Sequence, residues 1–280
     1  MKKLILLILI AAVTMSPLAN AAVRPAETTL QATPSHTATA THVVCLEEGT
    51  EVKCGYCPTA AAALKSLYED EGTNHSFYYV ALVYDRSSIS QKRFYSTYGG
   101  RAFPSVFIDG GFSQQVGVGT TVNQTKSQYQ TLITTAGERD VHDVSVNTSV
   151  VGHSNAKLDI TIKMTNNGNS FYIGILKSFV TEITSRWNDA QHNPYHFALL
   201  DFAFKKLIIL SPHKTKELSV TWNGAANHGN NTFADIQDDN IMVISSLAHW
   251  MPHQIPAEQY VKAHYAFFVD QTDAAIVSTE

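Results

Sequence analysis

Lys53-Cys54-Gly55-Tyr56-Cys57-Pro58-Thr59-Ala60-Ala61-Ala62-Ala63-Leu64-Lys65-Ser66-Leu67-Tyr68 joins two thiols to a run of helix-forming residues. Pro58 suits a first helical turn, where its missing N–H needs no partner, and Thr59 to Tyr68 consists mostly of good helix formers. The spacing predicts a helix with Cys54 at its N-terminal end. Unpaired N–H groups and the positive end of the helix dipole favour a thiolate there, and Lys53 adds a cation. A Cys-x-x-Cys pair in a first turn lets Cys54 attack a disulfide and Cys57 resolve the mixed disulfide. The same spacing also serves zinc half-sites and inert disulfides. Zinc needs more ligands, and the two His-x-x-x-His pairs, His192/His196 and His249/His253, enclose Pro194 and Pro252, which disfavour a helix presenting both rings. No metal site and no cofactor beyond a redox-active Cys54–Cys57 disulfide is expected.

Working outward, His42 to Glu48 reads as a short buried strand and Phe77 to Tyr84 as a second. Ile89 to Tyr98 can form a helix, Ser105 to Ile108 begins a hairpin turned by Asp109-Gly110-Gly111, and Thr125 to Ala136 closes the unit as a helix. Cys45, mid-strand, is the odd thiol: a small buried apolar residue, or a third redox thiol exchanging with Cys54.

The order strand, helix, strand, helix, strand, strand, helix over residues 41–138, with Cys-x-x-Cys at the first helix and Pro104 opening the third strand, resembles the thioredoxin fold. That resemblance implies an α/β domain in which Pro104 is cis and faces the cysteine pair, and the Phe103 backbone pairs with a substrate chain. Tyr56 joins these two as a substrate-binding residue. Glu48 matches the buried acid of the family, which takes a proton from the resolving cysteine. Lys53 stands where the family usually has an aromatic residue. Gly55-Tyr56 looks like the dipeptide of disulfide isomerases of the DsbC type, which inclines the expectation toward a reductase or isomerase.

From residue 139 the pattern becomes alternating: Val141 to Asn147 and Leu158 to Met164 have period two, followed by candidates at Phe171–Val180, Phe197–Phe204, Leu218–Trp222, Ile241–Leu247 and His264–Val269. About seven such strands suggest an immunoglobulin-like β-sandwich over 139–280. Ser185 to Asp189 with Asn193 to His196 forms a polar, aromatic loop that either recognises a partner or packs against the first domain. The tandem resembles secreted prokaryotic proteins in which a thioredoxin-like domain carries a C-terminal sandwich.

Composition narrows the partners. Of 280 residues 16% are charged, against about 25% in ordinary globular proteins, and 44% are hydrophobic, enough for sizeable cores. A net charge of −4 without a basic stripe argues against nucleic acid. Lys2 and Lys3, the apolar run Leu4 to Val13, and Ala19-Asn20-Ala21 give residues 1–21 the regions of a secretory signal peptide; the run is too short to span a bilayer. Residues 22–40, rich in Ala, Thr, Ser and Pro, read as a flexible leader.

The expected function is a periplasmic or secreted thiol-disulfide oxidoreductase acting on protein thiols or disulfides together with a redox partner, and able to homo-oligomerise. The competing expectation is a secreted binding protein whose sandwich does the work beside a disulfide that does not turn over.

Overall fold

The computed structural model describes residues 40–279. The expected signal peptide and, apart from Ala40, the expected leader lie outside the described residues. The first half comprises β1 (Val44–Thr50), α1 (Cys57–Asp70), β2 (Phe77–Val83), α2 (Ser88–Lys92) running into one π-helical turn, β3 (Ser105–Ile108), β4 (Ser113–Val116) and α3 (Val122–Gly137). Each start has a local cause. Ser87 and Thr121 cap α2 and α3 by accepting from the amides of Ser90 and Gln124. Helix α1 has no such cap; its first amide, that of Cys57, donates to Cys54 Sγ at 3.1 Å. The β3–β4 turn places Asp109, Gly110 and Gly111 at positive φ, and a Cβ at Gly110 would lie 2.2 Å from the Phe267 carbonyl oxygen.

The second half supplies β5 (Val144–His153), β6 (Lys157–Asn166), β7 (Tyr172–Asn188), β8 (Pro194–Leu210), β9 (Thr215–Asn223), β10 (Ile241–His249), β11 (His253–Ile255), β12 (His264–Ala266), β13 (Val269–Ile276) and β14 (Ser278–Thr279). These do not close on themselves. One eight-stranded mixed sheet runs β13-β10-β7-β8-β2-β1-β3-β4, joining strands from both halves, while β14-β5-β6-β9 form a second sheet and β11-β12 a small hairpin. The seam is the parallel pairing of β2 with β8 at Ala81 and Ala198.

Two cores share the long sheet. In β10 the side chains of Met242, Ile244 and Ala248 enter the core that also holds β1 and β2, whereas Ile241, Val243 and Leu247 enter the core beneath the four-stranded sheet. Strands β7 and β8 divide likewise, Phe179, Phe197 and Leu199 to one side and Leu176, Val180, Leu200 and Ile208 to the other. A strand apolar on both faces must be covered on both, at about 1.5–3 kcal/mol per fully buried large side chain.

The expected fold class is therefore corrected. The chain is not an α/β thioredoxin-like domain followed by a separate all-β immunoglobulin-like sandwich; the described residues are mostly β, with three α-helices and a sheet that crosses the expected division. The physical reason is in β7, β8 and β10, whose second apolar face an isolated sandwich would leave in water.

Candidate functional site

Cys54 and Cys57 form a disulfide at the start of α1. Both cysteines are buried, Cys57 fully and Cys54 less completely at 8% exposed. The amide of Cys54 donates to the Glu51 carbonyl at 3.2 Å, which ties the loop after β1 to the disulfide. The Cys57 amide aimed at Cys54 Sγ stabilises negative charge on that sulfur whenever the bond opens.

The peptide between Phe103 and Pro104 is cis. Phe103 stacks on Phe94 at a centroid distance of 4.6 Å and leans on Tyr84 at 5.1 Å. Its main-chain N–H and C=O make no hydrogen bond among the described residues. Phe103 shares with Tyr56, Gly117, Val118, Thr120 and Gln128 a cleft of ≈ 560 Å³, and Tyr56 stands 70% exposed at its edge. The fold thus brings Tyr56 of the Cys-x-x-Cys turn and Phe103 to one opening.

Glu48 is 1% exposed, and neither carboxyl oxygen has a hydrogen-bond partner among the described residues. Burial, and secondly the charge of Asp189, pushes its pKa up to about 8. By the two-residue period of β1, Glu48 shares a face with Leu46 and Thr50, the face covered by α3, whose buried Tyr129 feels the Glu48 charge. Helix α1, with Cys57 at its first position, packs beside α3 in that layer.

The opposite face of β1 has a different chemistry. Cys45 is buried in the core, and burial, reinforced by Glu47 and Asp109, raises its thiol far above the usual range. It faces away from the disulfide side of the strand. Burial alone would raise Glu47 too, but the charge and hydrogen bonds of Arg93 outweigh it and hold the carboxyl below its ordinary value. Arg93 donates from Nε and Nη2 at 2.6 Å each, and the Tyr98 hydroxyl donates at 2.5 Å.

The polar, aromatic loop is the tip of the β7–β8 hairpin. Tyr195 is fully buried, accepts from Thr50 Oγ1 at 3.0 Å and donates to the Glu51 carbonyl at 2.9 Å. Asp189, 4% exposed, accepts from the amides of Gln191 and Asn193 at 2.8 and 2.9 Å. Of the two readings of this loop, packing against the first half is the one its contacts show, through Tyr195; the sequence did not single out either residue within the loop, since no local motif ties Tyr195 to Thr50, 145 positions earlier. The histidine pairs do different work: His196 Nδ1 bonds to the Ile183 carbonyl, His249 stacks on His142 and His253 on Phe268. Among the described residues no group of three or more His, Cys, Asp and Glu is placed to hold a metal ion.

No protein-family model matches the chain, and no curated protein matches it. Among solved structures, HBP35 of Porphyromonas gingivalis is similar with a TM-score of 0.59 at 11% identity, covering 85% of this chain and 76% of that one. The sporulation control protein Spo0M from Bacillus subtilis matches with a TM-score of 0.28 at 9% identity over 51% of this chain and 50% of its own. A β-glucosidase from Kluyveromyces marxianus matches with a TM-score of 0.28 at 8% identity, over 49% of this chain and 14% of that one. The last two carry no argument. The likeness to HBP35 concerns the fold alone, and at 85% of this chain it extends over both halves.

Proposed function

We propose that the chain is a thiol-disulfide oxidoreductase acting on protein thiols and disulfides outside the cytoplasm, with Cys54 as the attacked and attacking sulfur, Cys57 as the resolving one and Glu48 as the proton carrier. The observation that carries this reading is the Cys54–Cys57 disulfide at a helix start, Cys54 the less buried of the pair, with an unpaired buried carboxyl on the preceding strand. A structural disulfide has no use for an orphaned glutamate nearby, because burying one costs stability unless it serves chemistry.

In the oxidising direction a client thiolate attacks Cys54 Sγ. The client–Cys54 bond forms, the Cys54–Cys57 bond breaks, and Cys57 departs as a thiolate that takes the proton of Glu48. A second client thiolate then attacks the client sulfur of the mixed disulfide, releasing a client disulfide and the Cys54 thiolate. Run backwards, the sequence reduces a client disulfide, and the Glu48 carboxylate receives the Cys57 proton. The Phe103 main chain and the cleft it shares with Tyr56 offer hydrogen-bonding and apolar surface to an extended client segment. The N-terminal pattern of residues 1–21 favours a compartment in which disulfides persist.

Reduction of insulin with dithiothreitol as the reductant tests the proposal. Wild type is expected to accelerate precipitation of the reduced chains, and Cys54→Ser to fall to the uncatalysed rate. Equal performance of the two would overturn it.

A further inference from the structure

We propose that the cleft between the disulfide loop and the β7–β8 hairpin recognises acidic client segments, taking the carboxylates of Asp or Glu side chains that lie within a few residues of the client cysteine. This rests on the oxidoreductase reading given above and names the class of client that the same site selects.

Three segments wall the cleft, whose volume is ≈ 620 Å³: the loop after β1 with Lys53, the turn after β2 with Arg86, and the hairpin with Arg186, Trp187, Asp189 and His192. Lys53 precedes Cys54, so a ligand that touches it lies one residue along the chain from the reacting sulfur. Two of the charges are already met. Arg186 donates to Glu182 and to Asp235 at 2.9 Å each and lies over the Phe233 ring. Asp189 accepts from the amides of Gln191 and Asn193. Lys53 and Arg86 are different: both are exposed, and neither side chain makes an ion pair or hydrogen bond among the described residues. The acids beside them in sequence, Glu51 and Asp85, are not part of the lining, and Asp85 Oδ1 accepts from the Val52 amide at 3.1 Å. His192, exposed on the hairpin, adds an imidazole.

The frame is fixed where these cations are free. Tyr195 ties the hairpin to Thr50 and Glu51, and the side-chain amides of Asn230 and Asn231 donate to the Arg86 carbonyl at 3.3 and 2.9 Å. Trp187 packs against the buried group of Ala81, Val83, Tyr195 and Ala198, and offers apolar surface to the methylenes of a glutamate. Unpaired cations on a fixed main chain give up little beyond their own side-chain freedom when an anion binds. The whole chain carries 20 Lys and Arg against 24 Asp and Glu, so it does not attract anions in general, and selection must come from this local placement. The exchange step stays as written above: the client thiolate bonds to Cys54 Sγ as Cys57 departs.

Two measurements on the full chain test this. In the first, the Cys54–Cys57 disulfide is reduced by short peptides that are alike except that glutamates or glutamines flank the cysteine. Rates are compared per thiolate, because neighbouring carboxylates raise a thiol's pKa. The acidic peptide is expected to react about fivefold faster, an advantage that shrinks with added salt. Arg86→Gln should bring the ratio near unity, and Arg86→Glu should invert it. In the second, a fluorescein-labelled acidic peptide with serine in place of cysteine is titrated by anisotropy; wild type should bind it, and Arg86→Gln should bind it more weakly. A rate ratio near unity in wild type overturns the inference, as does one that Arg86→Glu leaves unmoved. Inorganic phosphate displacing the labelled peptide as well as unlabelled peptide does would make the cleft a small-anion site and also overturn it. If insulin is not reduced but the serine peptide binds, the oxidoreductase reading falls and the acid-recognising cleft stands; if insulin is reduced and acidic peptides gain nothing, this inference alone falls.

Discussion

On one face of β1 Glu47 receives three hydrogen bonds from Arg93 and Tyr98, whereas on the other face Glu48, the next residue, receives none. Both carboxyls are buried in the same strand, so the cost of leaving water is similar, and the partners decide the outcome. The Glu47 side satisfies its charge and consumes it in structure. The Glu48 side leaves a proton weakly held at neutral pH within the layer that carries Cys57. The contrast teaches that a buried acid is read as functional by what fails to bind it, not by burial alone.

Breaking the Glu47 side should produce the largest effect. Arg93→Met strands a buried carboxylate and is expected to lower unfolding free energy by about 3–5 kcal/mol in urea titrations. A loss below about 1 kcal/mol would mean the pair adds little.

The Glu48 side should respond in the opposite sense. With a pKa of about 8 in the folded chain against an ordinary 4.5, Glu48 binds more protons folded than unfolded between those values. Its contribution is therefore complete below about pH 4.5, is lost as pH rises through the window, and is gone above about 8. Glu48→Gln should remove this slope, leaving the variant more stable than wild type at pH 8.5 by on the order of a few kcal/mol and little changed at pH 4. Parallel pH profiles for the two proteins would contradict the assignment.

Two tyrosines sharpen the comparison at smaller scale. Tyr98→Phe removes a hydrogen bond to a charged group and is expected to cost about 1.5–3 kcal/mol. Tyr129→Phe deletes a buried hydroxyl that has no partner among the described residues, and should change stability by less than about 0.5 kcal/mol or raise it slightly. Equal losses in denaturant would show that the two faces are not as different as their hydrogen bonding implies.

The parts of the site that were legible in the sequence are those set by local chemistry. Pro58 and the alanine run announce α1, the unbroken apolar stretch of β2 announces burial on both faces, and Asp109-Gly110-Gly111 announces its turn. The joining of the halves was not legible, because it depends on contacts between residues far apart in the chain, such as Ala81 with Ala198 and Thr50 with Tyr195, and on two strands of 17 residues each. A signal was present in Ile241 to Leu247, which does not alternate as a half-exposed sandwich strand would, and whose seven positions, all buried in β10, need cover on both sides. For the adjacent glutamates, strand period places them on opposite faces but cannot reveal that Arg93, 46 residues later, reaches only the first. Asp189 lies in the loop expected to recognise a partner or pack against the first domain, but which of its residues meet β1 is decided by tertiary folding.

Trapping the mixed disulfide tests the central claim most directly. Cys57→Ser, reduced and then mixed with insulin, should accumulate a covalent adduct that peptide mass spectrometry maps to Cys54, and Cys54→Ser should form none. Adducts mapped to Cys57 or Cys45, or no adduct with either variant, would contradict the account.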